Sequence, residues 1–381
     1  MTFYRHFVEA TEFEILVATN FPEMENFQMG YQLEQFKDPE WLQRVHRTRL
    51  LPWVGGFEYL WRNGMICGDL VQAASNFQAQ IIFTVAGSWS WTALVAQKLS
   101  QSLRVPLVAS FNDWYDFGWF PPHKFFHKAI ERRFRRFYRE CDLALCTSEG
   151  MREALGEHPN AHIWYPTGAP MPEAPDNYEP RMPEKERPFR VFFGGSLGEW
   201  YGKMVEDVVV KCREHHPQVE FRIFGSMASW SSDFDNWAKD NGVYGGQVSF
   251  DRLSEEAGKA DLLLLPMGFD PSVEIVERTS FKTKFLDYLS FRRPILVWGP
   301  EYCSAVRVAR EFDSAECVTN PDPTACSLAI KGLAEQPDRR KRLIANAMGM
   351  YNDRFHPDKI HAGLVRKISE LVETWPVKQN G

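Results

Sequence analysis

Short apolar runs of strand length alternate along the chain with longer segments whose apolar residues recur at helical spacing. In the first half the runs are Phe13–Ala18, Gln80–Val85, Pro106–Ser110, Asp142–Cys146 and Ala161–Tyr165. Trp89–Leu103 and Pro121–Glu140, between them, have helical length and period. The second half restarts the pattern, with strands predicted at Phe189–Phe193, Glu220–Phe224, Gln247–Phe250, Asp261–Leu265, Pro294–Val297 and Glu316–Thr319. This alternation predicts an α/β protein built on parallel sheets with helices on both faces. A last helix is expected over Pro357–Thr374, with Ile360, Leu364, Ile368 and Leu371 on one stripe, packing back across a domain boundary. Phe21 to Gly68 is less regular, and Pro22, Pro39, Pro52 and Gly55-Gly56 predict short helices and loops there. The helix-like Phe3–Ala10 precedes the first strand.

Seven prolines between Pro166 and Pro188 interrupt the alternation, and proline cannot continue a ladder or a helix. The sequence therefore divides into a first Rossmann-like domain at 1–170, a linker at 171–188, a second domain at 189–355 and the final helix at 356–381. Two cores of that size suit 381 residues.

Composition narrows the function. With 44% hydrophobic and 25% charged residues the chain is an ordinary globular protein, and its net charge of −6 argues against nucleic acid as a partner. No apolar run reaches the ~20 residues of a membrane span. Arg5, His6, Glu9 and Glu12 leave no signal-peptide core. Seven cysteines without a C-x-x-C pair read as reduced thiols in a cytoplasmic protein, with no zinc spacing.

Two segments carry candidate chemistry. Phe192-Phe-Gly-Gly-Ser-Leu-Gly-Glu-Trp-Tyr-Gly-Lys203 runs from a strand through Gly194, Gly195 and Gly198 into a helix. It is either a phosphate cradle or a mere tight turn, and it lacks the dinucleotide spacing. In Thr279 to Trp298, a helix starting near Phe281 places Lys284 and Asp287 on one face beside unpaired first-turn amides. Amides and Lys284 suit phosphates and Asp287 suits ribose hydroxyls; a solvated ion pair is the plainer reading. Asp233-Phe-Asp235 reads as helix-start carboxylates rather than a metal motif. Lys124, Lys128, Arg132, Arg135 and Arg139 form a basic stripe opposite Phe126, Ile130, Phe134, Phe137 and Cys141. That face is either solvated or meets an anionic membrane surface or a phosphate-bearing acceptor.

From Phe189 to Phe355 these motifs resemble the donor domain of the GT-B glycosyltransferases, specifically glycosyltransferase family 4. They are the strand-to-glycine turn, Phe224-Gly225, Ala260-Asp-Leu-Leu-Leu-Leu-Pro266, Ser280 to Pro294, and the helix around Tyr351-Asn-Asp-Arg-Phe355. The resemblance implies two Rossmann-like domains facing a cleft and a retaining, metal-independent transfer of sugar from a nucleotide diphosphate sugar. Its acceptor would be a glycan, a lipid-linked molecule or a small molecule, as in polysaccharide or glycolipid synthesis. It needs no cofactor beyond that co-substrate. On the matching positions, Gly194, Gly195, Ser196, Gly225, Thr283, Asp287 and Glu277 would hold the donor, and Lys203 and Lys284 would neutralise the leaving diphosphate. The family's paired glutamates fall on Thr279 and Asp287, with Glu274 and Glu277 nearby as substitutes; its arginine falls on Ser196. In the first half, which resembles the acceptor domain more loosely, the turn Phe111-Asn-Asp-Trp-Tyr-Asp116 puts Asn112 at the family's histidine position. Asp113 there orients an acceptor hydroxyl or caps a turn. The family usually starts with one more strand and a glycine loop. The expectation is a cytoplasmic enzyme, peripheral at the inner membrane face. The alternative is a degenerate relative that binds a nucleotide sugar or glycan without transfer.

Overall fold

A computed structural model describes residues 3, 5–10, 12–19, 31–35, 44–45, 47–61, 68–87, 90–114, 122–171, 178–184, 187–198, 200–226 and 228–376. The chain forms two compact units: Met1–Pro166 with Asp358–Gly381, and Thr167–Pro357.

In the first unit a π-helical turn, Arg5–Glu9, precedes strands β1 (Leu16–Thr19) and β2 (Gln32–Gln35), which pair in parallel. Helices α1 (Leu51–Trp61) and α2 (Gly68–Asn76) follow, so the irregular stretch contains a strand as well as the expected helix. Then come β3 (Ile82–Ala86), α3 (Trp91–Leu103), β4 (Leu107–Phe111), α4 (His127–Glu140), β5 (Leu143–Cys146), α5 (Glu149–Leu155) and β6 (Ala161–Ile163). Strands β3 to β6 make one parallel sheet in chain order. Every residue of β4 and β5 is buried, as expected of strands covered on both faces. On α4 the apolar stripe is wholly inside: Phe126, Ile130, Phe134, Phe137 and Cys141 are all buried. Opposite them Lys124, Lys128, Arg132 and Arg139 are exposed. Arg135 is not part of that open face. Its guanidinium pairs with Glu131 at 3.1 Å, donates to the Ala154 carbonyl and lies 4.7 Å from the Trp114 ring centroid.

The second unit opens with β7 (Phe189–Gly194), α6 (Gly202–His215), β8 (Val219–Phe224), α7 (Ser232–Asp240) and α8 (Phe250–Gly258). It continues with β9 (Leu262–Pro266), α9 (Glu274–Thr279), α10 (Thr283–Ser290), β10 (Ile295–Trp298), α11 (Ser304–Phe312), β11 (Glu316–Val318), α12 (Pro323–Ala334) and α13 (Pro337–Met350). Its parallel sheet has the order β8-β7-β9-β10-β11. Val191, Phe193, Leu262, Leu264, Leu296 and Trp298 pack in one core with Val205, Val208 and Val209 of α6 and with Ile330 and Leu333 of α12. The strand expected at Gln247–Phe250 is absent. Ser249 caps α8 through its hydroxyl, Phe250 is the first helical residue, and Gly246 just before has a left-handed φ of +70°. The described cysteines are free thiols, and Cys67 lies outside the described residues. Asp233 and Asp235 lie in the first turn of α7, where Asp235 accepts from Trp230 Nε1 and pairs with Lys239.

The proline-rich stretch belongs with the second unit. Tyr178 stands between two guanidiniums: Arg293 is 4.2 Å from its ring centroid, and Arg340 donates to its hydroxyl at 3.2 Å. Arg340 also donates to the carbonyl of Arg181 and is itself fully buried.

Helix α14 (Pro357–Thr374) groups with the first unit and buries Ile360, Leu364, Ile368 and Leu371. At its start His361 stacks on His6 with ring centroids 5.3 Å apart, and Trp375 Nε1 donates to the Arg104 carbonyl. Leu364 has no exposed surface. Leu364→Ala should therefore destabilise the first unit by about 2–5 kcal/mol, seen as an earlier denaturant transition. An unchanged midpoint would mean that α14 contributes nothing to that core.

Candidate functional site

In the second sheet β7 is followed by β8 on one side, and the chain then crosses to β9 on the other. The direction of winding reverses between β7 and β9, and open α/β sheets bind ligands at the carboxyl ends of such strands. Lys284 and Tyr288 of α10 reach that point, and Glu277 of α9 reaches the loop after β9.

Two glycines build its floor. Gly195 follows β7 with φ +143° and Gly225 follows β8 with φ +155°, backbone that side chains rarely adopt. Their turns touch, since a Cβ on Gly225 would sit 1.8 Å from the Gly195 carbonyl oxygen. A Cβ on Gly195 would sit 2.1 Å from Lys284 Nζ. The glycines thus admit both each other and the lysine. Leu197 N donates to the Ser226 carbonyl and locks the two turns together further along. Ser196 is exposed, with its hydroxyl 3.4 Å from the amide of Gly198.

Helix α10 starts at Thr283, two residues later than Phe281, with Lys282 as its N-cap residue. Lys284, Asp287 and Tyr288 are three and four residues apart and share a face. Lys284 is partly buried, and its amine lies 4.4 Å from the centroid of the Phe193 ring. Burial, helped by the nearby Lys282 charge and opposed by Asp287 and Glu277, brings its pKa down from 10.5 to about 8. Tyr288 is buried; its hydroxyl accepts from Gly194 N at 3.0 Å and lies 3.4 Å from the Leu264 carbonyl oxygen. Asp287 Oδ1 accepts from the Ala169 amide at 2.8 Å. Gly168 makes room for this, because a Cβ there would be 2.7 Å from the Leu286 carbonyl carbon. Thr283 is exposed at the helix start.

Glu277, on α9, has a fully buried side chain. Its Oε1 accepts from the Tyr201 hydroxyl at 2.7 Å and from the Gly268 amide at 3.1 Å, just beyond β9. Its Oε2 lies 3.4 Å from Lys282 Nζ and makes no hydrogen bond. Thr279 is buried and donates to the Ile275 carbonyl of its own helix at 2.7 Å, so its hydroxyl serves α9. Glu274 is paired with Arg278 at 2.7 Å.

Of the residues expected from sequence, Gly194, Gly195, Gly225 and Lys284 meet at one point, and Glu277 joins the loop after β9. Lys203 does not appear among the contacts of Gly195. Its ammonium, largely exposed on α6, pairs with Asp207 at 2.7 Å and Glu206 at 3.5 Å. Asp113 lies in the first unit, just past β4, half-buried; beside it Asn112 accepts from the Ser110 hydroxyl at 2.8 Å. Sequence reasoning missed Tyr201, Lys282 and Tyr288 as framing groups. The signal for Lys282 was its two-residue spacing from Lys284. Among the described residues no three His, Cys, Asp or Glu side chains form a metal-binding group.

The lowered Lys284 pKa has a testable sign. Its charged form is penalised in the folded state, fully so below pH 8, and the penalty fades as pH rises toward 10.5. The stability difference between Lys284→Met and the unaltered protein should therefore shift against the variant between pH 7 and pH 10, measured by urea unfolding. A difference that does not vary with pH would show that the amine is freely hydrated.

Comparison with known proteins places this geometry. Residues 12–166 match Glycosyltransferase Family 4. No curated protein matches the chain by sequence. Among solved structures, Anabaena Alr3699/HepE in complex with UDP is similar with a TM-score of 0.60 at 16% identity, over 89% of this chain and 86% of that one. A glycosyltransferase from Rickettsia africae ESF-5 is similar at 0.59 and 11% identity, over 90% and 86%. Sucrose-phosphate synthase from Thermosynechococcus elongatus gives 0.57 at 12%, over 80% and 76%. At these identities the likeness is one of fold: two units built on parallel sheets. Residues 12–166 thus match Glycosyltransferase Family 4, and the chain shares the fold of these GT-B glycosyltransferase structures.

Proposed function

We propose that the protein transfers a sugar from a nucleotide diphosphate sugar to an acceptor hydroxyl, with retention at the anomeric carbon and without a metal. The observation that carries the reading is the Lys284 amine seated against the bare backbone of Gly195 at the sheet's reversal point. A cation held by packing beside a glycine turn is preorganised for a diphosphate, whose negative charge grows as the glycosidic bond breaks. Binding that charge would also restore the proton affinity that burial removes. The leaving phosphate takes the acceptor proton, so no carboxylate has to act as nucleophile. Tyr288 fixes the Gly194 amide, and Glu277 fixes the Gly268 amide, so both strand ends keep their shape during the reaction. HepE has been seen with UDP and with UDP-glucose, which makes UDP-glucose the first donor to try.

A binder without transfer is the second reading, favoured by one observation: the Thr279 hydroxyl is committed to Ile275 and replaces no carboxylate. Release of free sugar from donor alone separates the two, since a pure binder releases none.

In the transfer reading, Lys284→Ala should lower kcat by roughly 100-fold, because the charge acts mainly in the transition state. Asp287→Asn keeps an oxygen for the Ala169 amide but loses the carboxylate, and should chiefly raise the donor KM. The same assay in chelator should show unchanged turnover. Wild-type kinetics in both folded variants would remove α10 from the site, and loss of activity in chelator, restored by magnesium, would overturn the metal-free scheme.

We also propose that Lys124, Lys128, Arg132 and Arg139 meet an anionic membrane surface. They are exposed along α4, and Trp53 and Phe125, both exposed and with ring centroids 6.4 Å apart, lie beside them. Each cation near such a surface is worth about 1 kcal/mol. Lys128→Gln with Arg132→Gln should therefore weaken sedimentation with phosphatidylglycerol vesicles, and unchanged sedimentation would return the stripe to solvent.

A further inference from the structure

A second cationic site lies in the first unit, between α3 and α4, beside the basic stripe. Helices α3 and α4 enclose a pocket of about 200 Å³ whose wall includes Lys98, Arg133 and Arg136. Leu94 and Phe137 form its apolar floor, and Gln97, Gln101 and Glu140 complete it. Among the described residues, none of the three cations makes a side-chain hydrogen bond or an ion pair, although most other arginines of the chain do. The buried Arg133 Nε has no acceptor among the described residues. Buried donors are nearly always satisfied, so this one points to an acceptor supplied from outside the chain. The one carboxylate present is turned to α3, where Glu140 Oε2 accepts from the Gln97 amide at 2.9 Å, and it accepts nothing from Arg133 Nε.

We propose that this pocket binds a phosphate group. Three cations against one carboxylate leave a net positive hollow, and the planar forks of Arg133 and Arg136 can each hold two oxygens of a phosphate, whose higher charge suits three cations. Arg133 Nε finds its acceptor in a phosphate oxygen, and the Gln101 amide adds a neutral donor. The phosphate belongs either to a soluble ion or to a lipid headgroup, and both present the same oxygens.

The test uses the full chain in a Lys284→Ala background, which removes the other candidate phosphate contact. Inorganic phosphate, titrated by calorimetry at low ionic strength, should bind, and Arg136→Gln and Lys98→Gln should each weaken it by about 10-fold, the loss of one charge-assisted contact. Both side chains are exposed, so the fold is not at risk. Glu140→Gln should act in the opposite direction and tighten binding, whereas Arg366→Gln, an exposed cation of α14 outside the pocket, should leave it unchanged. Vesicles of phosphatidic acid, against phosphatidylcholine controls and with Lys128→Gln and Arg132→Gln added to silence the basic stripe, identify the source. Binding to the former that inorganic phosphate displaces assigns a headgroup, and phosphate binding without vesicle binding assigns a soluble ion. No phosphate binding, or binding equal in the Arg136→Gln, Lys98→Gln and Glu140→Gln variants, would overturn the proposal.

Discussion

The contact on which the second unit's site depends is the hydrogen bond from the Gly194 amide to the buried Tyr288 hydroxyl. A parallel strand ends with amides and carbonyls that its neighbours no longer pair, and β7 ends inside the protein, where water cannot satisfy them. Tyr288 accepts the amide and reaches the middle of β9 as well, so one phenol sets the height of α10 over two strands. Everything else on that helix inherits its place. One turn back, Lys284 is delivered to Gly195; one residue back, Asp287 is delivered to Ala169.

This dependence explains how much of the site was legible in the sequence. Lys284 and Asp287 could be placed on one face because helical spacing is a local property. Gly195 and Gly225 could be singled out because glycine at a strand end has few other uses. That they touch could not be read, since the contact joins turns 30 positions apart. The role of Glu277 was hidden for the same reason. Its partners, Tyr201 and Gly268, come from elements that meet only once the sheet is wound. For Lys203 the local neighbours Asp207 and Glu206, at helical spacing, pair with the ammonium that the resemblance assigns to the leaving diphosphate.

The fold was more legible than the site. Buried parallel strands read as unbroken apolar runs, and β4, β5, β9 and β10 fall within two residues of their expected bounds. Gln247–Phe250 misled because an apolar pair beside a serine is also a helix start, and the hydroxyl of Ser249 decides between them. The motif resemblance was strongest in the second half, yet the family match falls on the first, at residues 12–166. The two halves were recognised by different means: the second by a few chemically constrained positions, the first by its whole pattern.

The arginine pair around Tyr178 changes how the molecule could be divided. A fragment begun at Phe189, where the apolar pattern suggests a clean start, would strip Arg340 of the Tyr178 hydroxyl and the Arg181 carbonyl while leaving its guanidinium inside. Among the described residues only the Ala334 carbonyl, at 3.4 Å, would remain to it, and a buried cation stripped of most of its acceptors is costly in a small core. The proline-rich stretch therefore acts as a strap, and an autonomous version of the second unit would have to begin upstream of it, near Thr167.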